Sequence, residues 1–286
     1  MRWTPGGESS NIEDRRGQSG GFLPGGRAGM GIGGAVVLLV LSLIFGRDFV
    51  TGSAPAADST HAQAANGELV SSPGEDRLVQ FVSFVLDDVQ NTWRSILGDE
   101  HIPYRDAKLV LFRDATQSGC GVAQSTMGPF YCPLDAKVYI DLGFYDELQR
   151  RFGAPGDFAE AYVLAHELGH HVQHLLGIDA QARRMQRENP AMANSISVRL
   201  ELQADCFAGI WGHSTEQRRL LEQGDIDEGL NAAAAVGDDR IQRATTGHVN
   251  AETFTHGSAA QRSAWFKRGL TTGTVEACDT FGDRGP

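Results

Sequence analysis

The stretch His166-Glu167-Leu168-Gly169-His170 holds two histidines four residues apart, with a glutamate beside the first. On a helix, positions four apart lie on one face, so both imidazoles can bind the same metal ion. Glu167 would then reach a water molecule on that metal and accept its proton, an arrangement typical of zinc hydrolases. The alternative is a polar turn on an exposed amphipathic helix. It is disfavoured because residues 158–165, just before the motif, are mostly apolar and indicate a buried helix.

A third ligand is expected, because catalytic zinc sites use three protein ligands and leave one position for water. A second predicted helix, from Pro190 to about Gly212, carries Glu201 and Asp205 four residues apart. We expect Glu201 to complete the zinc site and Asp205 to hydrogen-bond the outer nitrogen of a ligand histidine, which fixes its tautomer. The alternative is an exposed acidic face, which the many apolar neighbours of both residues disfavour.

Two further histidines follow the motif but are not part of the predicted site. His171 points away from the face that the two ligand histidines share. His174 lies one turn beyond the position that Glu167 serves. A lone histidine beside a site is more often structural or exposed than a ligand.

The composition fits a globular protein and restricts its partners. The chain of 286 residues can bury a full core in one or two domains. Its net charge of −11 and pI near 5.2 argue against nucleic acid as the main partner. The four cysteines form no Cys-x-x-Cys pair, so a cysteine zinc site is not expected.

The N-terminal quarter has the pattern of a membrane-anchored protein. Residues 1–27, rich in Gly, Arg and Ser, are expected to form a disordered cytoplasmic tail. Residues 28–46 carry no charge and are long enough to span a bilayer as one transmembrane helix. Residues 47–74 are expected to be a flexible linker, and residues 75–286 a zinc metallopeptidase domain.

The arginines before the apolar run predict the orientation of this anchor. By the positive-inside rule, they place the N-terminus in the cytoplasm and the catalytic domain outside it, on the periplasmic side of the cell membrane. A cleaved signal peptide ending near Ala54-Pro55-Ala56 is the alternative. The length of the apolar run and its distance from that site favour an uncleaved anchor.

The patterns within the predicted domain indicate an α+β fold, mainly helical with a small antiparallel sheet and the metal between two helices. Helical spacing of apolar residues predicts a core helix over 76–97, and the metal helix is expected over 157–177. A strand is expected at 107–112, and strands at 130–132 and 138–140 are expected to form a hairpin. Many metallopeptidases pair an extended substrate with an edge strand above the metal helix, and this hairpin is the candidate edge. A purely structural hairpin is the alternative.

Taken together, the motifs resemble the bacterial membrane-anchored neutral zinc metallopeptidases of the YpfJ type. The resemblance covers nearly the whole chain and implies a gluzincin-like fold with peptidase chemistry at Zn²⁺, but no particular substrate. It rests on Met1-Arg2-Trp3 with the glycine-rich start, the single span, and segments 118–121, 128–133, 166–173, 201–206, 237–240, 255–258, 260–262 and 278–281.

The segment from Thr255 to Arg262 is similar to the His-Pro…Arg segment of membrane-associated gluzincins, in which histidine and arginine help to hold the substrate or the developing oxyanion. Gly257 stands here in place of the proline. By this resemblance His256 is a candidate catalytic residue that would stabilise the tetrahedral intermediate, while the role of Arg262 stays open. The alternative is that Ser258 caps a helix and His256 merely precedes it.

The four cysteines are predicted to form two disulfides. An extracytoplasmic location permits disulfides, and four cysteines allow three pairings. Sequence locality favours Cys120 with Cys132, closing the loop before the hairpin, and Cys206 with Cys278, clamping the Glu201 helix to the C-terminal tail. Free buried thiols are the alternative.

The sequence therefore predicts a membrane-anchored zinc metallopeptidase that hydrolyses peptide or protein substrates through a zinc-bound water activated by Glu167. His166, His170 and Glu201 would hold Zn²⁺, and Glu167 would later pass the proton to the leaving amine. One alternative is a catalytically inactive, membrane-tethered binding or scaffold protein that keeps the zinc site for stability. An intact Glu167 disfavours this alternative, since a structural zinc does not need that carboxylate. Another is a hydrolase of a non-peptide amide.

Overall fold

The computed structural model describes residues 1–18 and 71–282 of the chain. Its α-helices are α1 (Pro73–Asp99), α2 (Gly143–Arg150), α3 (Asp157–Leu175), α4 (Ile178–Glu188), α5 (Ala193–Gln217), α6 (Asp225–Ala235), α7 (Asp238–Thr246) and α8 (Ala259–Thr272). Its strands are β1 (Ile12–Asp14), β2 (Lys108–Phe112), β3 (Ala115–Ser118), β4 (Gly121–Gln124), β5 (Phe130–Cys132) and β6 (Lys137–Asp141). Single 3₁₀ turns occupy Ser125–Met127, Pro190–Met192, Ala251–Thr253 and Glu276–Cys278.

The main sheet is mixed and has the strand order β1-β2-β6-β5. Strand β2 runs parallel to both β1 and β6, whereas β5 and β6 form the predicted antiparallel hairpin. The expected small antiparallel sheet is therefore wrong for the main sheet. Parallel pairing needs a long crossover, and residues 113–136 provide one between β2 and β6. Within this crossover β3 and β4 pair with each other as a separate antiparallel hairpin.

The first 18 residues are part of the folded body, which corrects the expectation of a disordered tail there. Strand β1 pairs with β2, and Trp3 packs edge-on against Phe81 of α1 with ring centroids 5.3 Å apart. The nearly buried guanidinium of Arg16 pairs with Asp14 and Glu75. Backbone pairing and ion pairs do not depend on apolar content, so the polar composition of this segment was a poor guide to its order.

Among the described residues, no helix is both long enough and apolar enough to cross a lipid bilayer. This finding corrects the expected fold class with its transmembrane helix, and the expected single-pass localisation with an extracytoplasmic catalytic domain. The predicted span, residues 28–46, lies outside the described residues, as does most of the predicted linker.

Helix α3 lies at the centre of the core. Its residue Phe158 stacks on Trp211 of α5 with ring centroids 5.5 Å apart, and its residue Tyr162 meets Phe266 of α8 edge-on at 5.2 Å. Gly169 lies where α3 and α5 cross, and a Cβ atom there would come within 2.9 Å of the Ala204 carbonyl oxygen. The absence of a side chain at Gly169 thus permits the close approach of α3 and α5 at this point.

Both predicted disulfides are present, which confirms the pairing favoured by sequence locality. Cys120–Cys132 joins the tip of the β3–β4 hairpin to β5. Cys206–Cys278 joins α5 to the C-terminal 3₁₀ turn, next to Asp205. The second bridge therefore fastens the helix that carries two of the predicted site residues.

Candidate metal centre

Helices α3 and α5 bring the three predicted ligand side chains together. The Nε2 atom of His166 lies 3.2 Å from Glu201 Oε2, and the Nε2 atom of His170 lies 3.5 Å from Glu201 Oε1. The two imidazole rings meet edge to face, with centroids 4.8 Å apart. One ligand atom from each residue lies within 4.8 Å of the others. Two imidazole nitrogens and a carboxylate are a donor set that suits zinc.

The outer nitrogen of each histidine is held by an acceptor. Asp205 Oδ1 lies 2.9 Å from Nδ1 of His166, in the position expected for it. Gln173 Oε1 lies 2.8 Å from Nδ1 of His170, and the Gln173 amide nitrogen donates to the carbonyl oxygen of Leu200. Because these oxygens accept hydrogen bonds, Nδ1 keeps its proton in both rings, and a metal can take the place of the other proton on Nε2.

A buried network lies behind His166. Arg262 donates to Asp205 twice, from Nε to Oδ2 at 2.8 Å and from Nη2 to Oδ1 at 2.9 Å. The Tyr162 hydroxyl also donates to Asp205 Oδ1. Burial alone would raise the pKa of Asp205, but Arg262 and His166 outweigh it and lower that pKa. Asp205 is therefore held as a carboxylate facing His166.

Arg262 is part of this network, whereas the resemblance to gluzincins left its role open. Its side chain is only 4% exposed and lies behind Asp205. Tyr162 was missed altogether by the sequence analysis, which counted it among the apolar residues of the helix. One signal could have found it, since Tyr162 lies four residues before His166 and therefore on the same helix face.

The three candidate ligands form a compact group of opposite charges. Burial disfavours the charged form of His166, but Asp205 and Glu201 outweigh it and raise the pKa to about 9. The Glu201 carboxylate likewise raises the pKa of His170 against the effect of burial. Burial also opposes ionisation of Glu201, yet the two histidines lower its pKa well below the usual range. The group thus favours positive charge beside Glu201, which a bound cation can supply.

The charges of the two predicted catalytic residues act on this group. Glu167 follows His166 on α3, is 7% exposed, and its charge acts on the His170 ring. His256 lies just before α8, with a side chain 41% exposed. Burial would lower the pKa of His256, but Asp238 and the Glu201 carboxylate raise it.

The two histidines left out of the predicted site lie outside the ligand group. His171 Nδ1 is 3.0 Å from the Tyr131 hydroxyl, and its Nε2 is 2.6 Å from the carbonyl oxygen of Arg105. Burial lowers the pKa of His171 to about 4, so its ring is neutral. His174 Nδ1 lies 3.0 Å from Asp179. His171 thus ties the metal helix to β5, the edge strand of the main sheet.

A second group of acidic side chains lies at the start of α3. Asp157, Asp225 and Glu228 place oxygen atoms within 4.8 Å of one another. The amino group of Met1 already pairs with two of them, Asp157 and Asp225. This group holds no imidazole and therefore lacks the nitrogen donors of the His166 centre.

Comparisons with known proteins show which family the chain matches. The profile of a family described as "Putative neutral zinc metallopeptidase" matches residues 1–281 of the chain. Uncharacterized protein YpfJ of Escherichia coli (strain K12) is 47% identical over 288 residues, covering 99% of each chain. An uncharacterized protein of Mycobacterium tuberculosis (strain ATCC 25618 / H37Rv) is 46% identical over 206 residues, or 68% of each chain. No solved structure matches the chain.

Proposed function

The chain belongs to this family of neutral zinc metallopeptidases, and we propose that it hydrolyses peptide bonds at the centre formed by His166, His170 and Glu201. The observation that carries the proposal is the convergence of two Nε2 atoms on one carboxylate. His166 and His170 lie 3.2 and 3.5 Å from the two oxygens of Glu201, and both have their outer nitrogens engaged. Such orientation of ligand histidines from behind is typical of metal sites.

The residues present fit a zinc ion. Three donor atoms of suitable type lie within 4.8 Å of one another on two rigid helices. When bound, zinc supplies Lewis acidity, which polarises the scissile carbonyl and lowers the pKa of water. Asp205 and Gln173 orient the imidazoles, and Arg262 keeps Asp205 ionised.

Glu167 acts as the general base in this proposal. Its carboxylate accepts a proton from the attacking water and delivers it to the nitrogen of the leaving amine, so that the proton balance closes within one turnover. His256 donates a hydrogen bond to the oxygen that becomes negative in the tetrahedral intermediate. Glu167 lies on α3 and its charge acts on His170, while His256 lies just before α8 and its charge acts on Glu201.

The edge strand β5 supports a peptide as the substrate. It is the last strand of the main sheet, and Tyr131 of β5 contacts His171 of the metal helix. An extended peptide can add to such an edge through backbone hydrogen bonds, which require no particular side chains. A peptide could use such an edge, whereas a small amide has too few backbone groups to pair with it.

The experiment uses the full-length chain and two variants, Glu167→Gln and Glu147→Gln. Glu147 is an exposed residue of α2 and serves as the matched control. We would measure zinc per chain by elemental analysis and cleavage of a peptide library by mass spectrometry. We expect about one zinc in all three proteins and cleavage by the wild type and Glu147→Gln. Cleavage by Glu167→Gln should be lower by about 10²- to 10⁴-fold.

Three results would contradict the proposal in different ways. No zinc after purification with excess zinc would remove the metal centre. Equal cleavage by the wild type and Glu167→Gln would remove the proposed base. Zinc in every protein with cleavage by none would favour the binding or scaffold protein.

A further inference from the structure

Asp238, the first residue of α7, holds the segment that carries His256. Its Oδ2 atom accepts the backbone N–H groups of Thr255 at 2.7 Å, His256 at 2.7 Å and Gly257 at 3.0 Å. Its Oδ1 atom lies 3.2 Å from Nδ1 of His256. Asp238 is 6% exposed, and its own N–H donates to the Gly257 carbonyl oxygen at 2.9 Å. One nearly buried carboxylate therefore contacts both the backbone and the ring of this segment.

Gly257 shows why this segment differs from the His-Pro pattern that it resembles. Its φ is +93°, and its N–H donates to Asp238. Proline has a φ near −65° and no N–H group, so it could satisfy neither requirement. A Cβ atom on Gly257 would also come within 3.3 Å of Val198 and Leu202 of α5. The segment is thus held close to the helix that carries Glu201.

Two groups contact Nδ1 of His256. Besides Asp238 Oδ1 at 3.2 Å, the Thr255 hydroxyl oxygen lies 3.0 Å away. A carboxylate oxygen can only accept a hydrogen bond, whereas a hydroxyl can donate or accept. Asp238 therefore requires a proton on Nδ1, and Thr255 can accept from the same proton. The other ring nitrogen, Nε2, can donate to the substrate when it also carries a proton, that is, when the His256 ring is an imidazolium.

We propose that Asp238 is a positioning residue that binds Nδ1–H of His256 and holds the ring as an imidazolium, whose Nε2–H donates to the reacting carbonyl. The inference rests on the proposed function, in which His256 donates to the oxyanion. Asp238 itself does not touch the substrate; it acts through His256. A charged acceptor behind the ring also strengthens Nε2 as a hydrogen-bond donor.

The substitution Asp238→Asn changes the contact with the His256 ring but can keep the contacts with the backbone. The amide oxygen of asparagine can still accept the three N–H groups, and its NH₂ group then faces Nδ1 of His256. Because NH₂ donates, Nδ1 must lose its proton. The ring then becomes neutral with its one proton on Nε2, which makes Nε2–H a weaker donor than in the imidazolium. Asp239→Asn is the matched control. It makes the same change of charge one residue away, where Asp239 accepts the N–H of Ala259 at 2.7 Å.

The first readout is independent of activity. Long-range ¹H–¹⁵N spectra of the full-length protein with labelled histidine distinguish a protonated from an unprotonated ring nitrogen, and His256→Ala assigns the signal. We expect protons on both ring nitrogens in the wild type and Asp239→Asn, and an unprotonated Nδ1 in Asp238→Asn. An unprotonated Nδ1 in the wild type, or no change in Asp238→Asn, overturns the proposal even if the protein is an active peptidase.

The second readout is a double-mutant cycle on kcat and KM. We expect Asp238→Ala to lower kcat by about 10²- to 10³-fold with little change in KM, as for loss of an oxyanion donor. In the His256→Ala background the same substitution should change kcat by less than about threefold, because the two residues act as one unit. Equal losses in both backgrounds overturn the proposal, since Asp238 would then act only through the fold.

Discussion

Removing Arg262 tests whether the buried network behind His166 stabilises the protein and its metal centre. Arg262 is 4% exposed and Asp205 has no exposed surface. In Arg262→Met the long side chain is retained, but Asp205 loses two hydrogen bonds, of 2.8 and 2.9 Å, and its opposite charge. Leaving one partner of a buried ion pair alone typically costs about 3–5 kcal/mol. We expect a loss of this size in the free energy of unfolding.

The loss should extend to zinc affinity, because Asp205 orients His166. Disturbing a residue behind a ligand histidine typically weakens metal binding by about 10- to 100-fold. We would measure unfolding in urea and zinc affinity by competition with a chelator. Arg262→Lys keeps the charge without the paired geometry and should lose less, which keeps the test useful if Arg262→Met fails to fold.

Arg268→Met is the matched control on the same helix. Arg268 is exposed and stacks over Trp265 at 4.8 Å, a contact worth about 1 kcal/mol or less. Its loss should leave zinc affinity unchanged. If Arg262→Met is no more destabilising than Arg268→Met and binds zinc equally well, the network does not have the role described for it.

Two further predictions concern the stability of the fold: the pH-dependent effect of Glu160 and the contributions of the two disulfides. Burial, Asp157 and other nearby acids raise the pKa of Glu160 from its ordinary 4.5 to about 7. Between these two pH values the folded chain therefore binds more protons than the unfolded chain. The contribution of Glu160 to the free energy of unfolding therefore falls as pH rises across this window. We expect Glu160→Gln to be more stable than the wild type by about 1–3 kcal/mol at pH 8, and no more stable at pH 4.5. Removing the Cys206–Cys278 bridge, with its sequence separation of 72, should cost about 4.5 kcal/mol, against about 3 kcal/mol for Cys120–Cys132, with a separation of 12.

Urea unfolding could contradict each of these two predictions. Urea unfolding at several pH values would compare Glu160→Gln with the exposed control Glu147→Gln, and a constant difference across pH would contradict the assigned titration. Paired alanine substitutions at the two bridges would be compared by the same method. A larger loss for the shorter bridge would show that loop entropy does not govern their contributions.

Local features of the site could be predicted because they depend on spacing along one helix. His166 and His170 share a face of any helix, and Glu201 and Asp205 share another, so a sequence is enough to group them. The β5–β6 hairpin and the two disulfides are similarly short-range or follow from sequence locality. The structure added the distances that join the two pairs, 3.2 Å from His166 to Glu201 and 2.9 Å to Asp205.

Contacts between distant segments could not be predicted in the same way. Arg262 reaches Asp205 across 57 residues, and Asp238 binds the His256 ring across 18. No local pattern specifies which of many charged residues will form such a pair. The prediction of disorder in the N-terminal segment was wrong for another reason. Strand β1 pairs through backbone groups, which nearly every residue type offers, so amino-acid composition does not reveal the pairing.

The central claim is that His166, His170 and Glu201 hold zinc, and anomalous diffraction at the zinc edge tests it most directly. We predict one peak per chain, at about 2.0–2.1 Å from the Nε2 atoms of both histidines and about 2.0–2.2 Å from a Glu201 oxygen. Glu201→Gln, crystallised at the same zinc concentration, should show a weaker peak. A crystal grown with zinc that shows no peak between these residues, or a peak held by other side chains, would contradict the account.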